Sequence, residues 1–241
     1  MAIHPSVLMQ FALFRHLSDA DRTELAQGST LAAFGRREVV LEKGAVPGSV
    51  GFVLEGRLQL VDFTLDGREV GLSFLDEGHY FGEVSMLDGL AHPEYVLANR
   101  KSQVVMVPAR TLRSVVLGDS RLTEVILLSL AAKLRRQGAQ RQVLSITNPL
   151  QRVCAQILLL AQKPEEPSGA SGSTARPSAT SGMCQIHPAP THQELAIMLN
   201  LSRETVTRVF QVLQSRDVLG RQGESLSVDL SGIEELARRG E

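Results

Sequence analysis

Apolar residues fall into three successive rhythms along the 241-residue chain. From about Leu13 to Val107, short apolar runs alternate with glycines at 28, 35, 44, 48, 51, 56, 67, 71, 78, 82 and 89. The runs at 38–41, 50–54, 58–63, 69–75, 95–98 and 104–107 have β-strand composition, and many short strands between glycine turns predict a small antiparallel barrel or roll. From Ala109 to about Ile146 the glycine punctuation nearly stops. Leu127, Leu130, Leu134, Gln137, Arg141 and Leu144 there follow the 3,4 alternation of a coiled-coil seam, which predicts a long helix that needs a partner helix. The polar entries at 137 and 141 interrupt the seam and suit a functional or register-setting role.

The third rhythm starts at Asn148-Pro149, a good helix cap followed by the residue best suited to the first helical position. Leu150, Val153, Cys154, Ile157, Leu158 and Ala161 share one face of the helix that follows, which ends near Lys163. The stretch 164–182 is rich in Pro, Gly, Ser and Thr, nearly devoid of large apolar residues, and reads as a disordered insert. Thr191 and Glu194 then form a capping box, Leu195, Ala196 and Leu199 give a short helix its buried side, and Asn200 suits its end. Ser202 caps a second helix. Its apolar face is Val206, Val209, Phe210 and Leu213, and Arg203, Glu204, Thr207, Arg208 and Gln211 lie largely opposite. Val218 and Leu219, then the alternating run 225–230 with Gly220 and Gly223 at the turns, complete a two-stranded wing.

The expected class is α+β. An antiparallel β-roll of cupin or jelly-roll type occupies 1–108, a long dimerisation helix and hinge 109–147, and a winged helix-turn-helix 148–241, with the insert at about 164–182. With 43% hydrophobic and 21% charged residues the chain has a soluble, globular composition. No apolar run approaches the ~20 residues of a membrane span, and the first ten residues lack the build of a secretion signal, so a cytoplasmic protein without membrane contact is expected. Two cysteines, Cys154 and Cys184, are too few for a disulfide framework or a four-thiolate iron–sulfur site, and Cys154 sits in an apolar stripe that suits packing. No catalytic constellation is present, which argues against an enzyme.

Charge narrows the chemistry of the helical pair. An Arg fork matches guanine O6 and N7 and a carboxylate accepts from cytosine N4, so Ser202, Arg203, Glu204, Thr207 and Arg208 are candidate contacts to double-stranded DNA. Yet the net charge is −1, and residues 183–241 hold six Lys/Arg against eight Asp/Glu. Binding must therefore rest on local placement of Arg203, Arg208, Arg216 and Arg221 and on two copies acting together.

In this order, roll, long helix and winged helix-turn-helix resemble the catabolite-activator/fumarate-nitrate-regulator (CRP/FNR) family of bacterial transcription factors. The carriers are Leu13-Phe14-Arg15-His16-Leu17, Val53-Leu54-Glu55-Gly56-Arg57-Leu58, the segment Phe81-Gly82-Glu83-Val84-Ser85-Met86-Leu87-Asp88-Gly89 and Leu201-Ser202-Arg203-Glu204-Thr205-Val206-Thr207-Arg208. The resemblance implies a homodimer joined through the 120–146 helix, a two-fold symmetric promoter site and a contact with RNA polymerase. It places Arg203, Glu204 and Arg208 at the base-reading positions of the cyclic-AMP-responsive branch, where the half-site has a G-T-G-A core.

One departure bears on the input. Cyclic-nucleotide binders of the family follow Phe-Gly-Glu about ten residues later with Arg-Ser or Arg-Thr, the Arg neutralising the phosphate; those places fall on Pro93 and Glu94. An imino acid and a carboxylate there remove the anion's partner and add repulsion. Gln137 and Gly138 stand where the family's adenine-facing residues carry hydroxyls. Gly82, Glu83, Glu94, Arg100, Gln137 and Gly138 are thus the candidate effector residues between roll and helix, for a small-molecule effector other than cyclic AMP, another nucleotide among the candidates. His79 and His92 lie near this place as turn or surface histidines rather than haem ligands. The alternative expectation is a ligand-independent regulator whose roll is only a dimerisation or protein-interaction scaffold.

Overall fold

In the computed structural model, which describes residues 3–67, 69–162, 176–177 and 182–239, a short helix α1 (Pro5–Leu8), a 3-10 turn (Ala12–Phe14) and helix α2 (Asp19–Gly28) precede the first strand. Ser18 caps α2 by accepting from the Asp21 amide at 3.1 Å. Eight strands follow in the order β1 (Thr30–Phe34), β2 (Val39–Leu41), β3 (Ser49–Glu55), β4 (Arg57–Phe63), β5 (Glu69–Asp76), β6 (Tyr80–Phe81), β7 (Tyr95–Ala98) and β8 (Ser102–Pro108), with helix α3 (Glu83–Asp88) between β6 and β7. They form two antiparallel sheets, β1-β8-β3-β6 and β2-β7-β4-β5.

The period-2 rule explains the continuous apolar run of β8. Val104 and Met106 face the space between the sheets with Val53, Leu58, Leu75, Phe81, Val96 and Ala98. Val105 and Val107 face outward, where Val50, Phe52 and Tyr80 meet Leu8, Phe11, Phe14 and Leu25. Both faces of this sheet are therefore buried. Gly56 makes the β3–β4 connection at φ 99°, and a Cβ there would lie 2.3 Å from Ser102 Oγ, so no other residue fits. Just inside the next strand pair, Arg57 and Asp76 face each other in register with Nε and Oδ1 2.9 Å apart, both buried, and Phe74 lies under the guanidinium at 4.4 Å.

Beyond the roll, the sequence suggested a single long helix, and the structure has two: α4 (Ala109–Gly118) and α5 (Ser120–Ser145). Asp119 is extended between them and its carboxylate accepts the Arg121 amide at 2.8 Å, starting α5 afresh. The chain divides into two compact units within α5, after Ala131. Leu122 and Ile126 belong to the first core, while Leu127 and Leu134 are 60% and 71% exposed.

The second unit contains α6 (Pro149–Ala161), a two-residue strand β9 (Arg176–Pro177), β10 (Met183–Ile186), α7 (His192–Leu199), α8 (Arg203–Ser215), β11 (Leu219–Gln222), β12 (Ser225–Asp229) and α9 (Leu230–Arg239). Asn148 caps α6 by accepting from the Leu150 and Gln151 amides at 2.8 and 3.4 Å, with Pro149 in the first position. Apart from residues 176, 177 and 182, the insert expected at about 164–182 lies outside the described residues. The wing is present, with a correction: Gly223 makes its turn at φ 58°, but Gly220 sits inside β11, paired with Ser227. The ladder runs straight through that glycine. Strand β10 adds a third member on the other side of β12, and Ile233 and Leu236 of α9 join the core with Val153, Ile157, Leu195, Leu213 and Val228.

Candidate nucleic-acid interface and effector region

Two helices joined by three residues hold the candidate reading surface. The Thr191 hydroxyl accepts the Glu194 amide at 3.1 Å and the Glu194 carboxylate accepts the Thr191 amide at 2.6 Å, so both halves of the capping box form. Asn200 ends α7 in the left-handed conformation, φ 51° and ψ 50°, where its short polar side chain is tolerated. Ser202 then caps α8 through the Thr205 amide at 3.1 Å.

Val206, Val209, Phe210 and Leu213 are buried, which fixes the rotation of α8 about its axis. Arg203, Glu204 and Arg208 are consequently exposed, with Thr207 half-buried between them. Glu204 is held below the usual carboxylate range by its own backbone amide and the Ser202 hydroxyl, and Arg203 and Arg208 add to this. The face thus presents a firmly ionised acceptor flanked by two guanidinium donors. The five residues named from the sequence, Ser202, Arg203, Glu204, Thr207 and Arg208, are the cap of this one helix and four positions in its first two turns.

Gln140 of α5 donates to the Met198 carbonyl at 3.3 Å, and Arg152 of α6 donates to the carbonyls of Ile146 and Leu199 at 2.6 and 3.0 Å. The end of α7 is therefore tied to the end of α5 and the start of α6. Sequence spacing gave no hint of these two anchors, because each joins residues far apart in the chain.

In the roll, Gly82 precedes α3 at φ 87°, and a Cβ there would sit 3.2 Å from the Ser49 carbonyl oxygen and 3.4 Å from the His92 ring. Glu83 and His92 are each 3% exposed. His92, expected at a turn or surface, is instead an interior residue. Its main chain is bracketed by the loop before β3, with its amide on Ala45 O at 3.0 Å and its carbonyl accepting Gly44 N at 2.8 Å. Burial pushes its imidazole below the ordinary histidine value, and the Glu83 charge offsets this in part.

Glu94 is half-buried, and Arg100 donates to the Gly56 carbonyl at 3.2 Å with Glu77 at 3.9 Å. Gln137 and Gly138 lie exposed on α5, in the second unit. His79 Nδ1 lies 3.0 Å from the Asp76 carbonyl oxygen, as suits a turn histidine. Burial raises the Cys154 thiol to about 12 and raises Cys184 as well, so both behave as packing groups. Among the described residues no cluster of three or more His, Cys, Asp or Glu is placed to hold a metal, and no helix is long and apolar enough to cross a membrane.

Comparison with known proteins matches both units. A cyclic nucleotide-binding domain model fits residues 31–119 and a Crp-like helix-turn-helix domain model fits residues 151–239. The CRP-like cAMP-activated global transcriptional regulator of Mycobacterium tuberculosis is 24% identical over 233 residues, 97% of this chain and 98% of that protein. The cAMP-activated global transcriptional regulator CRP of Pasteurella multocida is 23% identical over 197 residues, 80% of this chain and 86% of its own length. Among solved structures, FixK2 from Bradyrhizobium japonicum has a TM-score of 0.69 at 19% identity, covering 86% of this chain and 96% of its own. The c-di-GMP responsive global regulator CLP of Xanthomonas campestris has a TM-score of 0.63 at 18% identity, covering 88% and 99%.

Proposed function

We propose, from the premise that this chain belongs to the CRP/FNR family of DNA-binding transcription regulators, that two copies pair through α5 and lay their α8 helices into a two-fold symmetric promoter site. The face of α8 carries this reading. Arg203 and Arg208 have the fork that pairs with guanine, Glu204 has the acceptor that suits cytosine, and the buried stripe opposite leaves them no other orientation. Exposed Leu127 and Leu134 support the pairing, since each would meet its own copy across a parallel seam. A dimer so placed acts on initiation by touching RNA polymerase beside the site.

The roll is the input, and its ligand is not cyclic AMP. A cyclic phosphate needs a cation, and this region offers Pro93, the Glu94 carboxylate, an Arg100 engaged at the Gly56 turn and a His92 that burial keeps neutral. These residues do not fit that phosphate. Relatives and neighbours of this fold are named for different effectors, cyclic AMP in one and cyclic di-GMP in another, so the fold alone does not choose among them. We assign the effector to Gly82, Glu83 and Glu94 of the roll, with Arg100 as a further candidate. One observation favours the second reading, a roll that is scaffold only. Glu83 and His92 are already closed off from solvent by the chain itself.

Thermal unfolding and promoter binding, each measured with saturating cyclic AMP, cyclic GMP and cyclic di-GMP, test these readings. A ligand at about 100 times its Kd adds about 2.7 kcal/mol and several degrees to the melting temperature. Cyclic AMP is expected to move neither quantity. A melting rise of several degrees together with tighter promoter binding in cyclic AMP would overturn the assignment. Specific promoter binding at physiological salt by protein with nothing added, unchanged by every ligand, would favour the scaffold.

A further inference from the structure

His192, the first residue of α7, stands outside the set of base-facing residues, half-buried among α7, α8 and β11. Its ring lies on Phe210 with centroids 4.5 Å apart. Nδ1 is 2.9 Å from the Thr207 hydroxyl oxygen, and that hydroxyl donates to the Arg203 carbonyl, also at 2.9 Å. A hydroxyl has one proton, and here it is committed to Arg203, so the imidazole is the donor to Thr207. The neutral ring therefore carries its hydrogen on Nδ1 and a bare lone pair on Nε2.

Among the described residues Nε2 makes no hydrogen bond. Arg203 at the start of α8 and Arg221 of β11 are near enough for their charges to act on the ring. Burial first, then Arg221 and Arg203, hold its pKa below the usual imidazole value. The carboxylate of its own helix, Glu194, is turned back onto the Thr191 amide. A phosphate oxygen drawn to the two arginines would meet the Nε2 lone pair in repulsion. With a proton on Nε2 the same nitrogen becomes a charge-assisted donor, and the phosphate cancels the cationic field that had kept the proton away.

We infer that His192 is a contact to the DNA backbone that takes up a proton when the duplex binds, an inference that rests on the DNA-reading role of α8. The sign follows from linkage. A value raised in the complex means that affinity increases as pH falls through the bound-state pKa and levels off below the free-state pKa.

The test uses the full chain and a duplex that it has selected from a random pool. The His192 ring protons are titrated by NMR with and without the duplex, and affinity is measured at pH 6 and pH 8 for wild type, His192→Gln and His192→Phe, the last keeping a ring on Phe210. The bound-state pKa should lie above the free-state one, and wild type should gain about fivefold or more in affinity at pH 6 over what either variant gains. An unmoved or lowered pKa in the complex, or the same pH dependence in both variants, overturns the inference. The titration needs only wild type, so it decides even if a variant fails to fold. Absence of specific binding by wild type at every pH would instead overturn the role given to α8.

Discussion

Leu127→Glu combined with Leu134→Glu is expected to give a folded monomer whose affinity for a two-fold site falls by more than ~1,000-fold. Both leucines are mostly exposed on a helix whose other faces are occupied: Leu122 and Ile126 are buried in the first unit's core and Val143 in the second's. In a parallel seam each would lie against its counterpart, so four leucine side chains would leave water together. Burial of each stabilises the pair by about 1.5–3 kcal/mol. Glutamates in those places remove that term and set like charges against one another across the axis. Neither position contributes to either core, so helix content and melting of the single chain should hold. Sedimentation velocity at micromolar concentration reads the association state, and circular dichroism reads the fold. A double variant that stays dimeric, or a monomer that binds as tightly as wild type, contradicts the pairing.

The second large effect is on base reading. Arg203→Ala and Glu204→Ala should each lower affinity for the selected duplex by ~1–3 kcal/mol and relax preference at one base pair of each half-site. The two should differ on random DNA. Loss of Arg203 removes a cation and weakens non-specific binding slightly, whereas loss of Glu204 removes an anion that faces phosphates and leaves such binding equal or stronger. Both side chains are exposed, so the melting temperature of either variant should stay close to that of wild type. Equal losses on specific and random duplexes would show that these residues only anchor the backbone.

Local chemistry made much of this architecture legible. Thr191 with Glu194, Ser202, and Asn148 with Pro149 each declare a helix start through side chains within three residues, and each forms as expected. The short apolar runs between glycines similarly marked β2, β3, β4 and β5, and two further β-type runs after Gly89 marked β7 and β8. What stayed hidden depends on partners distant in sequence. Strand β1 reads Thr-Leu-Ala-Ala-Phe, weak by composition, and exists because it pairs along its whole length with β8. Strand β6 is only Tyr80 and Phe81, held against Phe52 and Gly51. Helix α9 has a local signature of its own: Asp229 accepting the Ser231 amide, Ile233 and Leu236 at helical spacing, and Arg238 and Arg239 in the last turn.

The candidate sites divide the same way. The reading face of α8 follows from one amphipathic stripe, so sequence alone placed Arg203, Glu204 and Arg208 together. His192 joins them only through Thr207 and Phe210, fifteen or more residues further along, and no spacing rule links an α7 start to an α8 interior. In the roll, Pro93 and Glu94 were visible as departures, but the burial of His92 beside Gly82 needed the packing of α3 on β3. A substitution that removes a ligand's cation can be read in one dimension. What occupies the place cannot.

DNA recognition by paired α8 helices is tested most directly by letting the protein choose its DNA. The purified protein is cycled against a pool of random duplexes, and the enriched sequences are scored for symmetry. The expected product is an inverted repeat whose half-sites are centred about one helical turn, 10–10.5 base pairs, apart, bound by two chains. Enrichment of an asymmetric or single half-site, or no enrichment above random sequence, would contradict it.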